Sequence, residues 1–399
     1  MSAAAKSLTA SRICLVMGFG CLLIAPVLGG WIRIRPPADL QEMRTPADWP
    51  VWASTPTGEW PAKFEAWLND HFGLRGYLLR AHSIVRHRWL GAPSAGVIVG
   101  RNGWLFYAGD RTGEDLVGRD SFTAEELGRW QAALETRRAW LRARGISYLF
   151  VIVPNKSSIY PEHLPALLRA NLRPGKSDEL LHHLAATKCD VPILDLRGTL
   201  RDLKRERQVY WQADSHWSGH GLVGACDAIM AKLASLGVPT DRRDIAPLLS
   251  FTAADRPQDG IELLAMRHHW PSQPAIELRI TAPSDLRTIP SPLLQSAPWN
   301  EAPGWKQPVT TECESGVGRA VLFCDSFFRA GGVPLSELAR VPLMLRFQRL
   351  TSLWEWPDHA MLRQVIDAER PNIVIEARTE RFLKIIPSAE DGFAPVTDN

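Results

Sequence analysis

Two short stretches of this chain carry residue types that can do chemistry together. The first is Tyr210-Trp211-Gln212-Ala213-Asp214-Ser215-His216-Trp217-Ser218, and the second is Val321-Leu322-Phe323-Cys324-Asp325-Ser326-Phe327. A serine hydroxyl is a weak nucleophile until a base takes its proton. An imidazole titrates near neutral pH and can be that base. A carboxylate on its other nitrogen fixes the tautomer and stabilises the imidazolium. Ser326, His216 and Asp214 therefore supply the set needed for acyl transfer through a serine ester. Asp214 and His216 have only Ser215 between them, so they meet if the local loop curls. In an extended strand they would only point the same way.

Plainer readings stand beside this one. An Asp-Ser-His before a helix is also a capping sequence, with Ser215 or Ser218 as the cap. Asp325 can bond to backbone at the turn after its strand, or replace Asp214 as the acid. Asn155 and Lys156 follow an apolar strand and should open at the same sheet edge, as an oxyanion donor, as a substrate contact or as an ordinary solvated turn. The backbone N–H of Ser326 is the other natural oxyanion donor. Tyr160 either touches substrate or packs on Pro161, and packing is favoured.

These residues need a scaffold that gathers strand ends. Apolar runs at Ile146–Val153, Val191–Leu194, Ala320–Phe323 and Asn372–Glu376 read as strands. Helical patterns at Ala124–Arg144, Ser177–Lys188, Gly219–Leu236 and Pro357–Glu369 alternate with them, and Glu380–Ile386 reads as a last short helix. Thr123 and Glu126 have capping-box spacing. The alternation predicts an α/β fold with a mostly parallel sheet flanked by helices, and reactive groups then collect at the C-terminal strand ends. Val97–Tyr107 reads as a β-hairpin around Asn102-Gly103. Helical spacing of Phe64, Trp67, Leu68, Phe72, Leu74, Leu78 and Leu79 predicts amphipathic helices. Residues 239–318 are Pro-rich, break the rhythm and read as a β-rich insertion or lid.

The 399 residues carry 46 basic and 43 acidic side chains, and no basic run interleaved with aromatics points to nucleic acid. Ile13–Ile32 is continuously apolar and about long enough to cross a bilayer. Lys6 and Arg12 precede it, which favours a cytoplasmic N-terminus. An uncleaved signal anchor is preferred to a cleaved signal peptide, because Arg33-Ile-Arg-Pro-Pro is a poor cleavage site. The expected organisation is an anchor over residues 1–34, a linker over 35–60 and an extracytoplasmic domain over 61–399. The body is expected to lie outside the cytoplasm. Cys189, Cys226, Cys313 and Cys324 of that domain allow three full pairings or remain free. No CxxC or His-rich spacing suggests a metal, and no cofactor is expected.

The pair Asp214-Ser-His216-Trp217 and Asp325-Ser326-Phe327 resembles the motifs of SGNH-hydrolase-like domains in alginate O-acetyltransferase proteins of the AlgJ/AlgX type. Val99–Tyr107, Val153-Pro-Asn-Lys156 through Tyr160-Pro161, and Ile373-Val-Ile-Glu376 through Leu383 look similar in the same order. Cys324 departs from the family's usual Gly and puts a side chain at the turn. The resemblance implies a serine-dependent O-acetyltransferase with Ser326 as nucleophile, His216 as base and Asp214 as its acid. It also implies a bacterial inner-membrane location with the catalytic domain in the periplasm, or a periplasmic protein after signal cleavage, a polysaccharide acceptor and a membrane-bound O-acyltransferase as acetyl donor. A glycan acetylesterase and a non-enzymatic glycan-binding component of an export complex are the alternatives.

Overall fold

The computed structural model describes residues 46–387, apart from short breaks and residues 329–341, together with scattered residues between 13 and 24. It divides into two compact units, Met1–Val97 with Pro257–Pro271, and Ile98–Arg256 with Ser272–Asn399. Among the described residues no helix is long and apolar enough to cross a membrane. Most of the Ile13–Ile32 segment expected to form the anchor lies outside the described residues, and residues 15–21 within it are helical.

In the first unit, helix Trp60–His71 has Pro61 in its first turn, where proline's missing N–H costs nothing. Trp49 packs edge-on against Trp67 at 4.5 Å and against Phe64 at 5.8 Å. Helix Arg75–Ser83 continues into a π-helical stretch, Ile84–Trp89.

The second unit is built on a seven-stranded sheet. Strands β1 (Val97–Val99) and β2 (Leu105–Tyr107) form a separate two-stranded ribbon, whose turn uses positive φ at Asn102 and Gly103. The main sheet contains β3 (Ser147–Val153), β4 (Ile193–Asp195), β7 (Leu286–Ile289), β8 (Val309–Cys313), β9 (Arg319–Cys324), β10 (Arg349–Trp354) and β11 (Ile373–Thr379). Its order is β4-β3-β11-β9-β10-β8-β7. The first five of these run parallel. β8 and β7 add an antiparallel edge. The chain leaves β3 toward one edge, leaves β9 toward the other, and returns last through β11 at the centre. That crossover sets the C-terminal ends of β3, β11 and β9 side by side.

Both faces of the sheet are covered, as continuous apolar strands require. Leu149, Val151 and Val153 of β3, with Leu322 and Ile375, join Ala225, Ile229 and Leu233 of helix Gly219–Ser235 in one core. Phe150, Ile152, Val321 and Val374 face the other way. They meet Trp130 and Leu134 of helix Ala124–Arg142, Leu180 of helix Lys176–Ala186, and Leu362 and Val365 of helix His359–Glu369. The Thr123–Glu126 capping box forms as expected. In the second core, Glu376 is buried between Arg137 at 2.9 Å and the Tyr148 hydroxyl at 2.6 Å. Burial first, and then the Glu376 charge, push the Tyr148 phenol well above its ordinary value.

The 239–318 stretch departs from a single excursion. β5 (Leu249–Ala254) and β6 (Ala275–Ile280) make their own antiparallel pair, while β7 and β8 extend the main sheet. The expected last helix at Glu380–Ile386 is one 3-10 turn, Glu380–Phe382.

Candidate active site

Residues 209–218 fold back on themselves. Ser218 N–H donates to the Val209 carbonyl at 2.8 Å, Tyr210 and Trp217 form an antiparallel bridge, and Trp211 N–H reaches the His216 carbonyl at 3.3 Å. The tip of this narrow loop holds Asp214, Ser215 and His216. Several elements clamp it from outside. Tyr210 donates its hydroxyl to the Pro154 carbonyl at 2.5 Å, and the Tyr160 hydroxyl accepts Val209 N–H at 3.0 Å. From the β1–β2 ribbon, Leu105 N–H donates to the Gln212 carbonyl at 3.0 Å. The Gln212 amide in turn donates to the Asn102 carbonyl at 2.6 Å. Gly221 makes the fold-back possible, because a Cβ there would lie 2.2 Å from the Val209 carbonyl oxygen.

The loop's curl brings its two reactive groups together. Asp214 Oδ1 accepts the His216 backbone N–H at 2.9 Å and lies 2.8 Å from Nδ1 of the same residue. His216 Nε2 lies 2.8 Å from Ser326 Oγ. With Nδ1–H donating to Asp214, Nε2 is left to accept the serine proton. The Asp214 side chain is 2% exposed and that of His216 is 24% exposed. The carboxylate is thus shielded from water while the base stays open to a substrate. Ser218 caps helix Gly219–Ser235 by accepting Gly221 N–H at 3.3 Å. Capping and acid–base geometry therefore coexist in one motif, the cap on Ser218 and the imidazole contact on Asp214.

Ser326 sits two residues past the end of β9. Its turn is held by Asp325, whose Oδ1 accepts Phe327 N–H at 3.0 Å. Asp325 Oδ2 accepts the Thr379 N–H at 3.1 Å and the Thr379 hydroxyl at 2.5 Å. Asp325 is therefore the brace of the turn, not the acid of the relay. The indole N–H of Trp217 donates to the Phe327 carbonyl at 2.7 Å, and the Phe327 ring lies 4.9 Å from the imidazole of His216. Cys324 is buried and accommodated within the strand. Cys189, Cys226, Cys313 and Cys324 are all free thiols, so none of the pairings that the sequence allowed forms.

Two further residues expected at the sheet edge take other roles. Lys156 is buried, and its ammonium group donates to the carbonyls of Trp211 at 3.1 Å, Gln212 at 3.0 Å and Asp214 at 2.7 Å. Those three bonds use the donors that an oxyanion or substrate contact would need, and they rule out a solvated turn. Tyr160 packs its ring 4.3 Å from that of Trp104 and gives its oxygen to Val209, which places it in the core. Asn155 is buried at the C-terminal end of β3 with its backbone N–H on Glu380 at 2.8 Å. Its side-chain amide is not used as a helix cap.

Sequence reasoning gave no role to Glu380, yet this buried carboxylate knits the strand ends. It accepts Asn155 N–H, the Ser158 hydroxyl at 2.5 Å and the Ser177 hydroxyl at 2.8 Å. Thr379 and the Trp217 indole were also missed. A tryptophan fixed to an Asp-x-His motif was the one available signal, because a buried indole N–H needs an acceptor.

The fold and the site together define an α/β domain of SGNH hydrolase-like class. Residues 97–275 match the family model described as SGNH hydrolase-like domain, acetyltransferase AlgX. The matched stretch contains Asp214 and His216 and ends before Ser326. Among curated relatives, the probable alginate O-acetylase AlgJ of Pseudomonas aeruginosa is 26% identical over 252 residues, 60% of this chain and 60% of that protein. The protein of the same name from Pseudomonas fluorescens is 28% identical over 170 residues, 42% of this chain and 41% of that one. The chain thus spans well under two thirds of the length of these relatives. Among solved structures, the O-acetyltransferase domain of Pseudomonas putida AlgJ is 19% identical with a TM-score of 0.46, covering 75% of this chain and 96% of that domain. Pseudomonas aeruginosa AlgX is 16% identical with a TM-score of 0.43, covering 73% of this chain and 68% of that one.

Proposed function

We propose that this protein is a serine-dependent O-acetyltransferase that moves an acetyl group onto hydroxyls of an exopolysaccharide. The observation that carries the reading is the continuous relay from Asp214 through His216 to Ser326, at 2.8 Å for each link, at the C-terminal edge of a parallel sheet. In the first half-reaction His216 Nε2 takes the Ser326 proton as Oγ attacks the acetyl carbonyl of the donor. The donor's leaving oxygen departs with the proton from His216, leaving an acetyl ester on Ser326. In the second half, His216 takes the proton of a sugar hydroxyl as that oxygen attacks the ester, and then returns it to Ser326 Oγ. The Ser326 backbone N–H and the Asn155 side chain are the donors assigned to the oxyanion.

The relatives named as alginate O-acetylases support a polysaccharide acceptor. The proposed setting is the outer side of a bacterial inner membrane, with the Ile13–Ile32 segment as anchor and a membrane-bound O-acyltransferase supplying the acetyl group. Its support is the apolar segment and the Lys6 and Arg12 that precede it.

The test incubates the purified chain, in detergent, with a chromogenic acetate ester in the presence and absence of oligosaccharides, beside Ser326→Ala and His216→Ala. Acetylated oligosaccharide from the wild type alone is the expected result. Free acetate with no sugar product would assign an acetylesterase instead. No turnover with the fold intact and no acetyl adduct on Ser326 would leave a binding role.

A further inference from the structure

We infer that Arg381 holds the acceptor at this site by pairing its guanidinium with a carboxylate on the glycan. The inference rests on the proposed transfer reaction and names the residue that reads the acceptor's charge. Arg381 lies in the 3-10 turn Glu380–Phe382 that follows β11, and its side chain is half-buried. The guanidinium carbon is 4.8 Å from the centre of the Tyr107 ring, 5.2 Å from that of Phe327 and 5.3 Å from that of Phe382. Two of these rings belong to the site. Phe327 directly follows Ser326, and its ring lies 4.9 Å from the imidazole of His216. Tyr107 ends β2, whose Leu105 N–H is bonded to the His216 loop at Gln212. One phenyl ring therefore stands between the guanidinium and the base, a gap that a sugar can bridge.

The charge of Arg381 is available. Arg197, Arg346, Arg349 and Arg378 of the same unit are also half-buried, and each pairs with a carboxylate. Among the described residues the Arg381 guanidinium has neither an ion pair nor a hydrogen bond, and its contacts are the three rings. A ring face attracts the cation but offers no lone pair to its N–H donors. The field of Arg381 reaches Asp110, yet that carboxylate is already engaged. Its Oδ1 accepts from the Lys384 ammonium at 2.8 Å and its Oδ2 from the Tyr107 hydroxyl at 3.0 Å. Lys384 thus cancels Asp110, and the charge of Arg381 is left over. Asp325 and Glu380, in the adjoining turns, spend their oxygens on Phe327, Thr379, Asn155, Ser158 and Ser177. Those bonds also fix the turn, so Arg381 is held in place before a ligand arrives. A planar guanidinium with one unmatched charge suits a carboxylate monoanion, which it grips with two parallel N–H bonds.

The test uses oligouronates of gluco, galacto and manno configuration as acceptors. Each is set beside the same oligosaccharide with its carboxylates reduced to hydroxymethyl groups. The full chain in detergent transfers acetyl from the chromogenic ester, and KM and kcat are read for each acceptor. For at least one pair the wild type should show a KM about tenfold or more lower for the uronate, and Arg381→Gln should bring that ratio near unity. Arg381→Lys keeps the charge and loses the fork, so it should retain part of the preference. A loss of equal size for both members of every pair would assign a structural role and overturn the inference. So would a wild type that does not distinguish them, a comparison that stands even if Arg381→Gln misfolds. Calorimetric binding of the same pairs to Ser326→Ala needs no turnover. A uronate preference there that vanishes when Arg381→Gln is added supports the inference even without acetyl transfer, and no preference overturns it. Absence of an acetyl adduct on Ser326 counts against the transferase reading alone.

Discussion

The indole N–H of Trp217 donates to the main-chain carbonyl of Phe327 at 2.7 Å, so the loop bearing His216 is fastened to the turn bearing Ser326 one residue away from each reactive group. The two stretches are 110 residues apart in sequence. The tryptophan is buried, and its ring meets Phe327 and Phe328 edge-on at 5.2 and 4.9 Å. It therefore supplies both a packed wedge and a directed bond.

Trp217→Phe keeps most of the wedge and removes the bond, leaving the Phe327 carbonyl buried without its donor. A loss of about 1–3 kcal/mol in unfolding free energy is expected, with kcat falling roughly tenfold or more as the Ser326–His216 spacing loosens. Chemical denaturation and steady-state kinetics on a soluble acetate ester check both numbers. Unchanged kcat in a destabilised protein would show that the bond serves only the fold.

The two aspartates near the site make opposite expectations. Asp214→Asn leaves the loop's shape nearly intact and inverts the preferred imidazole tautomer, so kcat should drop by about 10³- to 10⁴-fold with little change in thermal midpoint. Asp325→Asn weakens the bonds to Thr379 and Phe327 and should lower the thermal midpoint clearly, with a kcat loss of only about tenfold. A reversed order of the two kinetic effects would move the acid's role to Asp325.

Lys156 separates positioning from substrate contact. Its bonds to the carbonyls of Trp211, Gln212 and Asp214 hold the base-bearing loop. Lys156→Met should cost about 3 kcal/mol of stability and reduce kcat at least tenfold, with KM nearly unchanged. Lys156→Arg should fail to rescue, because a planar guanidinium cannot direct donors at three carbonyls gathered around one point. A rise in KM alone would mean that the ammonium reaches substrate after all.

Much of this architecture was legible in the residues. β3, β4, β9 and β11 are short apolar runs with no competing period, so their ends fell within a few residues of the expected positions. Asp214, His216 and Ser326 stood out because both motifs fall at strand ends of one expected sheet, and the structure brings them within 2.8 Å of one another along Asp214–His216–Ser326. β10 was missed, since Arg349-Leu-Thr-Ser-Leu-Trp354 alternates too weakly to separate from a loop until it pairs with β9 on one side and β8 on the other. β7 and β8 were hidden in a Pro-rich stretch for a related reason: an antiparallel edge depends on its partner strand more than on its own composition. The roles of Lys156 and Glu380 were not legible, because each is defined by groups distant in sequence. A buried lysine and a solvated one are the same letter until the carbonyls around it are known.

Glu380 gives the last expectation, in the pH dependence of stability. Burial is the dominant influence and holds its carboxyl above the ordinary value of 4.5, against the opposing pull of Ser158, Asn155, Arg197 and Ser177. A carboxyl with a raised pKa in the folded chain binds its proton more tightly there than in the unfolded chain. Its stabilising contribution is therefore fully present below 4.5 and is lost as pH rises from 4.5 through the folded value. Glu380→Gln abolishes that titration. The unfolding free energy of the wild type relative to Glu380→Gln should then decline across this window, by about 1.4 kcal/mol for each pH unit between the two values. Urea unfolding of both proteins at stepped pH measures the difference directly. A difference that climbs with pH instead would mean that the hydrogen bonds from Asn155, Ser158 and Ser177 outweigh desolvation, and that Glu380 is held as a carboxylate throughout.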